Sequence, residues 1–208
     1  MGRQEQTNHL FSNRDLRILL VPLIVEQILN SLMGTADSIM VSNVGSAAIS
    51  AVSLVDSINI LVIQAFYALA AGGTIVCSQY IGQKDKKNAE ESARQLSFVV
   101  ACISSLVMAV CLLTRGPLLR LIFGSVEADV MEAAQIYFFY TALSVPFIAL
   151  YDAGSSIYRA QGNTRLPMTI AVVSNGLNIA GNAVLIWVFH LGVAGAALAT
   201  LGSRVISA

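Results

Sequence analysis

Long runs of apolar residues, each closed by a short polar stretch, set the pattern of this chain. About 20 apolar residues wound as a helix rise about 30 Å, the thickness of a bilayer's hydrocarbon core. Six such runs are legible. The first covers residues 16–41 and the second 48–81, with the uncharged stretch 42–46 between them. The third, 96–113, follows the charged segment 83–87. Residues 117–124 carry Arg120 among leucines and are too short to span, so they are expected to lie along the membrane surface. The fourth and fifth runs are 133–158 and 168–189, and the sixth starts at Gly192 and is still apolar at Ala208. Nothing alternates with period two over these lengths, and an open sheet cannot satisfy its backbone polar groups in lipid. The predicted fold is therefore all-α, a polytopic transmembrane bundle of six spans over 16–208, preceded by a polar leader over 1–15.

Composition agrees with that pattern. Of 208 residues, 56% are hydrophobic and 12% charged, against roughly 25% charged in a soluble domain. Twelve Lys and Arg balance twelve Asp and Glu, so the chain has no electrostatic footprint for nucleic acid. The basic residues instead set orientation. Arg3, Arg14, Arg17, Lys84, Lys86, Lys87, Arg94, Arg159 and Arg165 fall on one side of the predicted membrane, and Arg115 and Arg120 on the other. The amino terminus is expected to be cytoplasmic, in a multi-pass protein of the cell membrane. Trp187, Tyr137 and Tyr140 fall near predicted interfaces, where amphipathic rings are favoured. The apolar run after the leader is too long for a cleaved signal peptide, and no small-residue cleavage site follows it.

The chemistry of an enzyme is not visible. Cys77, Cys102 and Cys111 lie inside predicted spans, as packing residues, and His9 and His190 lie in polar segments. There is no phosphate-binding glycine loop, no zinc-protease motif and no serine-hydrolase elbow. What the chain does keep is charge inside the membrane, where an Asp costs about 2.5–3.5 kcal/mol at a helix centre.

Four acids fall within spans: Glu26, Asp37, Asp56 and Asp152. Glu26 and Asp37 are eleven residues apart, which puts them within about 20° on one helix face, with Asn30 and Gly34 on the same stripe. Pro22 removes one backbone hydrogen bond just before that stripe and favours a bend there. Glu26 and Asn30 suit either interhelical hydrogen bonding or a polar cavity. For Asp37 no basic residue is predicted at the same depth, which points to function. Asn175, Asn178 and Asn182 share one face of the fifth run, as helix glue or as ligands. Gly192, Gly195, Ala196, Ala197 and Ala199 permit close approach of the sixth run and bring Thr200 near a neighbour. One carboxylate, amide oxygens and a hydroxyl suit a hard cation or a proton. Asp56 is expected near the outer interface, in solvent, and Asp152 deeper, facing either a central cavity or the packing.

At these residues the sequence resembles the multidrug and toxic compound extrusion (MATE) family of cation-coupled efflux transporters. Ala36-Asp37-Ser38-Ile39-Met40-Val41 is similar to the family's first-helix motif, and Gln79-Tyr80-Ile81-Gly82 to the end of its second helix. Arg159-Ala160-Gln161-Gly162-Asn163-Thr164 with Pro167-Met168 is similar to the fourth connection, and Gly192-Val193-Ala194-Gly195-Ala196-Ala197 with Ala199-Thr200 to the start of the sixth helix. The resemblance implies the amino-terminal six-helix lobe of a twelve-helix transporter, the second lobe and the end of the sixth helix being absent. It implies alternating-access antiport of drugs or organic cations against H⁺ or Na⁺, with no other cofactor. It also implies cation binding, with Na⁺ as one candidate ion, at Asp37, Asn178, Asn182 and Thr200, and a helix bend at Pro22. Asn182 stands where family members often carry Asp. The single remaining charge weakens Na⁺ binding on Coulomb grounds and favours a proton on Asp37. Flippases of lipid-linked sugars share the architecture, but their anionic substrates call for a cavity rich in Lys and Arg, and the spans here are nearly free of them. A non-transporting scaffold has no need for an unpaired Asp37. One lobe alone is expected not to transport, because rocking antiport needs a cavity between two bundles.

Overall fold

The computed structural model describes residues 13–124 and 126–208. Their regular elements are all helical: α1 (Asn13–Ser42), α2 (Ser46–Gly82), α3 (Lys86–Phe123), α4 (Ala128–Ala160), α5 (Arg165–Asn182) and α6 (Gly192–Ser207). α5 runs directly into a π-helical segment, Ala183–Val188. Five helices, of 24 to 38 residues when α5 is counted with its π segment, are long and apolar enough to cross a membrane, and α6 is a shorter apolar helix of 16. Of the expected leader, residues 13–15 form the first turn of α1, while residues 1–12, with Arg3 and His9, lie outside the described residues.

Local chemistry explains where helices stop. Asp85 caps α3, its carboxylate accepting from the Asn88 backbone N–H at 3.2 Å. Gly162, between α4 and α5, and Gly192, opening α6, take left-handed φ values of 79° and 55°, which glycine adopts without a Cβ clash. A Cβ on Gly192 would also lie 3.3 Å from Val44.

Residues 117–124 do not form a separate surface piece. Arg115 to Phe123 continue α3 as one 38-residue helix through Pro117. Leu119 is fully buried against the core that includes Tyr137 and Phe138, and the Arg115 guanidinium lies over the Phe139 ring at 5.3 Å. Tertiary packing thus holds the turn that Pro117 weakens, and Arg120 ends in the last turn, where a cation meets free carbonyls.

α4 lies at the centre of the bundle, packed on α2, α3 and α6. One apolar core joins Val41, Val52, Val55, Leu119, Tyr137 and Phe138, and a second joins Phe66, Leu96, Val100, Val145 and Ala149. Tyr137 is therefore a core residue rather than an interfacial one. The outer surface carries Leu61, Leu113 and Leu121, each more than 70% exposed, a surface made for hydrocarbon. Small residues let α6 close on α5: a Cβ on Gly195 would lie 3.0 Å from the Leu185 carbonyl, and one on Gly181 3.0 Å from the Ala199 Cβ.

Candidate functional site: a buried Asp37 cluster beside a polar cavity

The backbone approach of α6 to α5 delivers the four residues singled out in the sequence to one place. Asp37, from α1, is almost fully buried, as are Asn178 and Asn182 from α5 and Thr200 from α6. Asn182 Nδ2 donates to Asp37 Oδ1, and the Thr200 hydroxyl donates to Asp37 Oδ2 at 3.1 Å. Asn178 Nδ2 donates to Thr200 Oγ1 at 3.2 Å, and Asn182 Nδ2 also donates to Asn178 Oδ1 at 3.3 Å. Both carboxylate oxygens are thus held by neutral donors. Asn182 Oδ1, by contrast, is buried with no hydrogen-bond partner among the described residues. α5 becomes π-helical immediately after Asn182, a local widening often found where helices carry ligating groups.

This cluster borders a cavity of about 500 Å³ lined from α1, α2, α4, α5 and α6. Asn30 lines it and is exposed to it, whereas Asn175 is buried and donates to the Ala171 carbonyl of its own helix at 2.9 Å, apart from the cluster. Pro22 is buried within α1, which stays helical from Asn13 to Ser42. Asp152 lines the cavity, and its Oδ2 has no hydrogen-bond partner among the described residues.

Two expectations change here. Asp56 is not a solvated interfacial acid: it lines the same cavity and accepts from the Tyr137 hydroxyl and from Asn59 Nδ2, both at 3.3 Å. α2 begins at Ser46, so Asp56 lies roughly 15 Å along the helix, deep enough to face the bundle. The cavity is also not free of basic residues. Arg159, assigned to a connecting segment, lies in the last turn of α4 and turns inward, Nη1 donating to both Glu26 oxygens at 3.0 and 3.1 Å. Tyr151 donates to the same carboxylate at 3.0 Å, and Arg159 Nη2 donates to Ser156 at 3.3 Å. Arg204, on α6, lines the cavity and donates to Ser144 Oγ at 2.7 Å. Glu26 is therefore an ion-paired anchor between α1 and α4, while among the described residues Asp37 has no basic residue within ion-pair distance.

Both arginines had a readable signal. Arg204 follows Thr200 by four residues, and Arg159 follows Asp152 by seven, so each shares a helix face with a residue already singled out.

A helical membrane bundle that keeps buried carboxylates around a polar cavity defines the class. The MatE family model matches residues 22–184, and the chain belongs to that family, a multi-pass membrane protein. It is 34% identical over 207 residues to the uncharacterized transporter YisQ of Bacillus subtilis, covering 97% of this chain and 44% of that one. It is 27% identical over 199 residues to the probable multidrug resistance protein NorM of Thermotoga maritima, covering 94% and 42%. A solved outward-facing conformation of a multidrug resistance MATE family transporter superposes with a TM-score of 0.87 at 25% identity, covering 93% of this chain and 43% of that one. The chain thus spans less than half the length of these relatives.

Proposed function

We propose that this chain forms the amino-terminal lobe of a secondary active transporter that exports organic cations in exchange for H⁺ or Na⁺, with Asp37 as the coupling group. The observation that carries this reading is a buried carboxylate held only by neutral donors, Asn182 and Thr200, at the edge of a cavity large enough for a drug. A charge in that position is costly unless it is matched, and it can be matched in turn by a proton, an ion or a cationic substrate.

The neighbours allow the charge to change. An ionised carboxylate accepts only, as it does from Asn182 Nδ2 and Thr200 Oγ1. A protonated one also donates, and Asn182 Oδ1, which has no partner, becomes its acceptor when the amide turns over. The loss of one charge at Asn182 favours the proton on Coulomb grounds. The same orphan oxygen supports a second reading, Na⁺ held by Asp37, Asn178, Asn182 and Thr200, since a hard cation takes carboxylate, amide and hydroxyl oxygens. Pro22, below Glu26 on α1, supplies the flexible point at which that helix bends between access states. The amino terminus is cytoplasmic, and a second six-helix lobe closes the cavity from the other side.

The test is Asp37→Asn in the complete two-lobe transporter, reconstituted with an imposed proton or Na⁺ gradient and a fluorescent cationic drug. Asn keeps the size and most hydrogen bonds of Asp but cannot change charge, so gradient-driven efflux is lost while the protein still inserts and folds. Undiminished efflux removes Asp37 from the mechanism. A proton gradient that drives wild-type efflux without Na⁺ assigns the proton.

A further inference from the structure

The two arginines that enter the cavity are used differently. Arg159 is ion-paired with Glu26 at 3.0 Å and also faces Asp152. Arg204 is in ion-pair contact with no acid among the described residues, yet it lies within electrostatic reach of three, Asp37, Asp56 and Asp152. Glu26 and these three acids line the cavity together with the two arginines, so with every group ionised the negative charges are in excess. Such a field draws cations in and, left unopposed, holds them there.

Ser144 is what keeps Arg204 at a distance from the acids. Arg204 Nη1 donates to Ser144 Oγ at 2.7 Å. The Ser144 side chain is fully buried and donates its own proton to the Thr141 carbonyl at 2.7 Å, which leaves its oxygen only to accept. The anchor is therefore a neutral, one-way acceptor on α4, the helix at the centre of the bundle. On its own helix Arg204 follows Thr200 by four residues, a rise of about 6 Å, and Thr200 donates to Asp37. The arginine thus stands one helical turn from the cluster, near enough to act on its charge without forming an ion pair with it.

We propose that Arg204 is a resident counter-ion of Asp37, Asp56 and Asp152, kept at a stand-off distance by Ser144, that weakens cation binding enough for each bound cation to be released. The inference rests on the transport reading above and assigns a positioning residue to its site, one that acts on the cation through the carboxylates. An exchanger gives up on one side of the membrane what it took up on the other. A permanent positive charge beside the carboxylates serves that need, because it lowers their affinity without closing the cavity, and a guanidinium keeps its proton throughout the cycle.

The test is equilibrium binding of benzyltrimethylammonium, a permanent cation, to the full chain in lipid nanodiscs, measured calorimetrically at one pH with neutral benzyl alcohol as the control. Arg204→Gln keeps a donor for Ser144 and drops the charge. Removing a unit charge roughly 10 Å from the bound cation, at an effective dielectric of about 20, is expected to tighten its binding about tenfold. Benzyl alcohol binding stays unchanged, and Arg204→Lys, which keeps the charge, holds the cation as the wild type does. Ser144→Ala acts in the opposite direction: the freed guanidinium closes on a carboxylate, and the cation binds about threefold more weakly. A merely structural role for Arg204 gives no such opposite signs and no rescue by Lys. Circular dichroism and thermal melting separate altered binding from lost fold, and Ser144→Ala carries the test if Arg204→Gln does not fold. An Arg204→Gln chain that binds the cation no more tightly than the wild type, or a Ser144→Ala chain that binds it no more weakly, overturns the counter-ion and leaves the export reading intact. Folded wild-type and Arg204→Gln chains that both fail to bind the cation overturn both.

Discussion

Glu26→Gln is the substitution whose cost the structure lets one work out most fully. Glu26 is 2% exposed and accepts two contacts from Arg159 and one from Tyr151. Gln fills the same space and its Oε1 can accept one of these, but its Nε2 then faces a donor, and the Arg159 guanidinium loses its counter-charge. Removing one partner of a buried ion pair costs about 3–5 kcal/mol. The Arg159 side chain is 15% exposed and lines the cavity, so solvation and the nearby Asp152 relieve part of that cost, leaving about 2–3 kcal/mol. For a chain of this size that lowers the melting midpoint by roughly 5–10 °C.

The reverse substitution, Arg159→Gln, is expected to cost more, because Glu26 is the more deeply buried partner. The double variant removes both charges and recovers about 2 kcal/mol relative to the sum of the single effects. Thermal melting of the four proteins in one detergent, followed by circular dichroism, measures this coupling. Additive effects, or a Glu26→Gln midpoint equal to that of the wild type, would show that the pair does not tie α1 to α4 and that this reading of Glu26 is wrong.

Other outcomes follow from packing and from charge. Gly195→Ala places a methyl 3.0 Å from the Leu185 carbonyl carbon and oxygen and is expected to destabilise by about 1–3 kcal/mol. Gly202→Ala, on the same helix with nothing within 4 Å, gains helix propensity and stays neutral or stabilising by less than about 1 kcal/mol. The same melts compare them, and equal effects would remove the close α5–α6 approach as the cause. Single cysteines at Lys86 and Val126, in a chain freed of its native cysteines, are expected to react with membrane-impermeant reagent from the cytoplasmic and external sides respectively. The opposite labelling would invert the orientation argued from the basic residues.

The helices and the Asp37 cluster were legible because each rests on a short-range rule. Apolar length gives the spans, the 100° step puts Glu26 with Asp37 and Asn178 with Asn182, and the small residues before Thr200 announce a close approach. What was misread depends on depth and on inter-helix geometry. Treating Pro117 as a break cut α3 short, because the support from Leu119 comes from other helices. Asp56 and Tyr137 were placed at the membrane edge because span ends were set by the hydrophobic run. α2 and α4 are 37 and 33 residues long, roughly 50–55 Å, so Asp56 and Tyr137, each about ten residues from the start of its helix, have room to lie inside the bundle. A guanidinium near a span end is read as an orientation signal, yet Arg159 spends it on Glu26, eleven residues before Asp37 on the same α1 stripe.

That stripe holds two buried carboxylates of opposite character, and the contrast between them is itself testable. Glu26 is matched by a fixed positive charge, so its own charge is structural. Asp37 is matched by an amide and a hydroxyl, both of which can reverse the sense of their hydrogen bonds. In Asp37→Asn, the new Nδ2 needs an acceptor where the carboxylate needed none. Turning that Nδ2 toward Thr200 Oγ1, which accepts as readily as it donates, leaves Asn182 donating to the remaining oxygen and to Asn178 as before. Only the Thr200 hydroxyl proton then loses its acceptor, and the expected loss of stability is within about 1 kcal/mol, the net worth of one hydrogen bond. Glu26→Gln has no such escape, because Arg159 can only donate. The two isosteric substitutions, melted side by side, should therefore separate: a large fall at Glu26 and a small one at Asp37. An Asp37→Asn midpoint as low as that of Glu26→Gln would mean that the Asp37 charge holds the bundle together, and a charge the fold depends on cannot be given up and regained in each transport cycle.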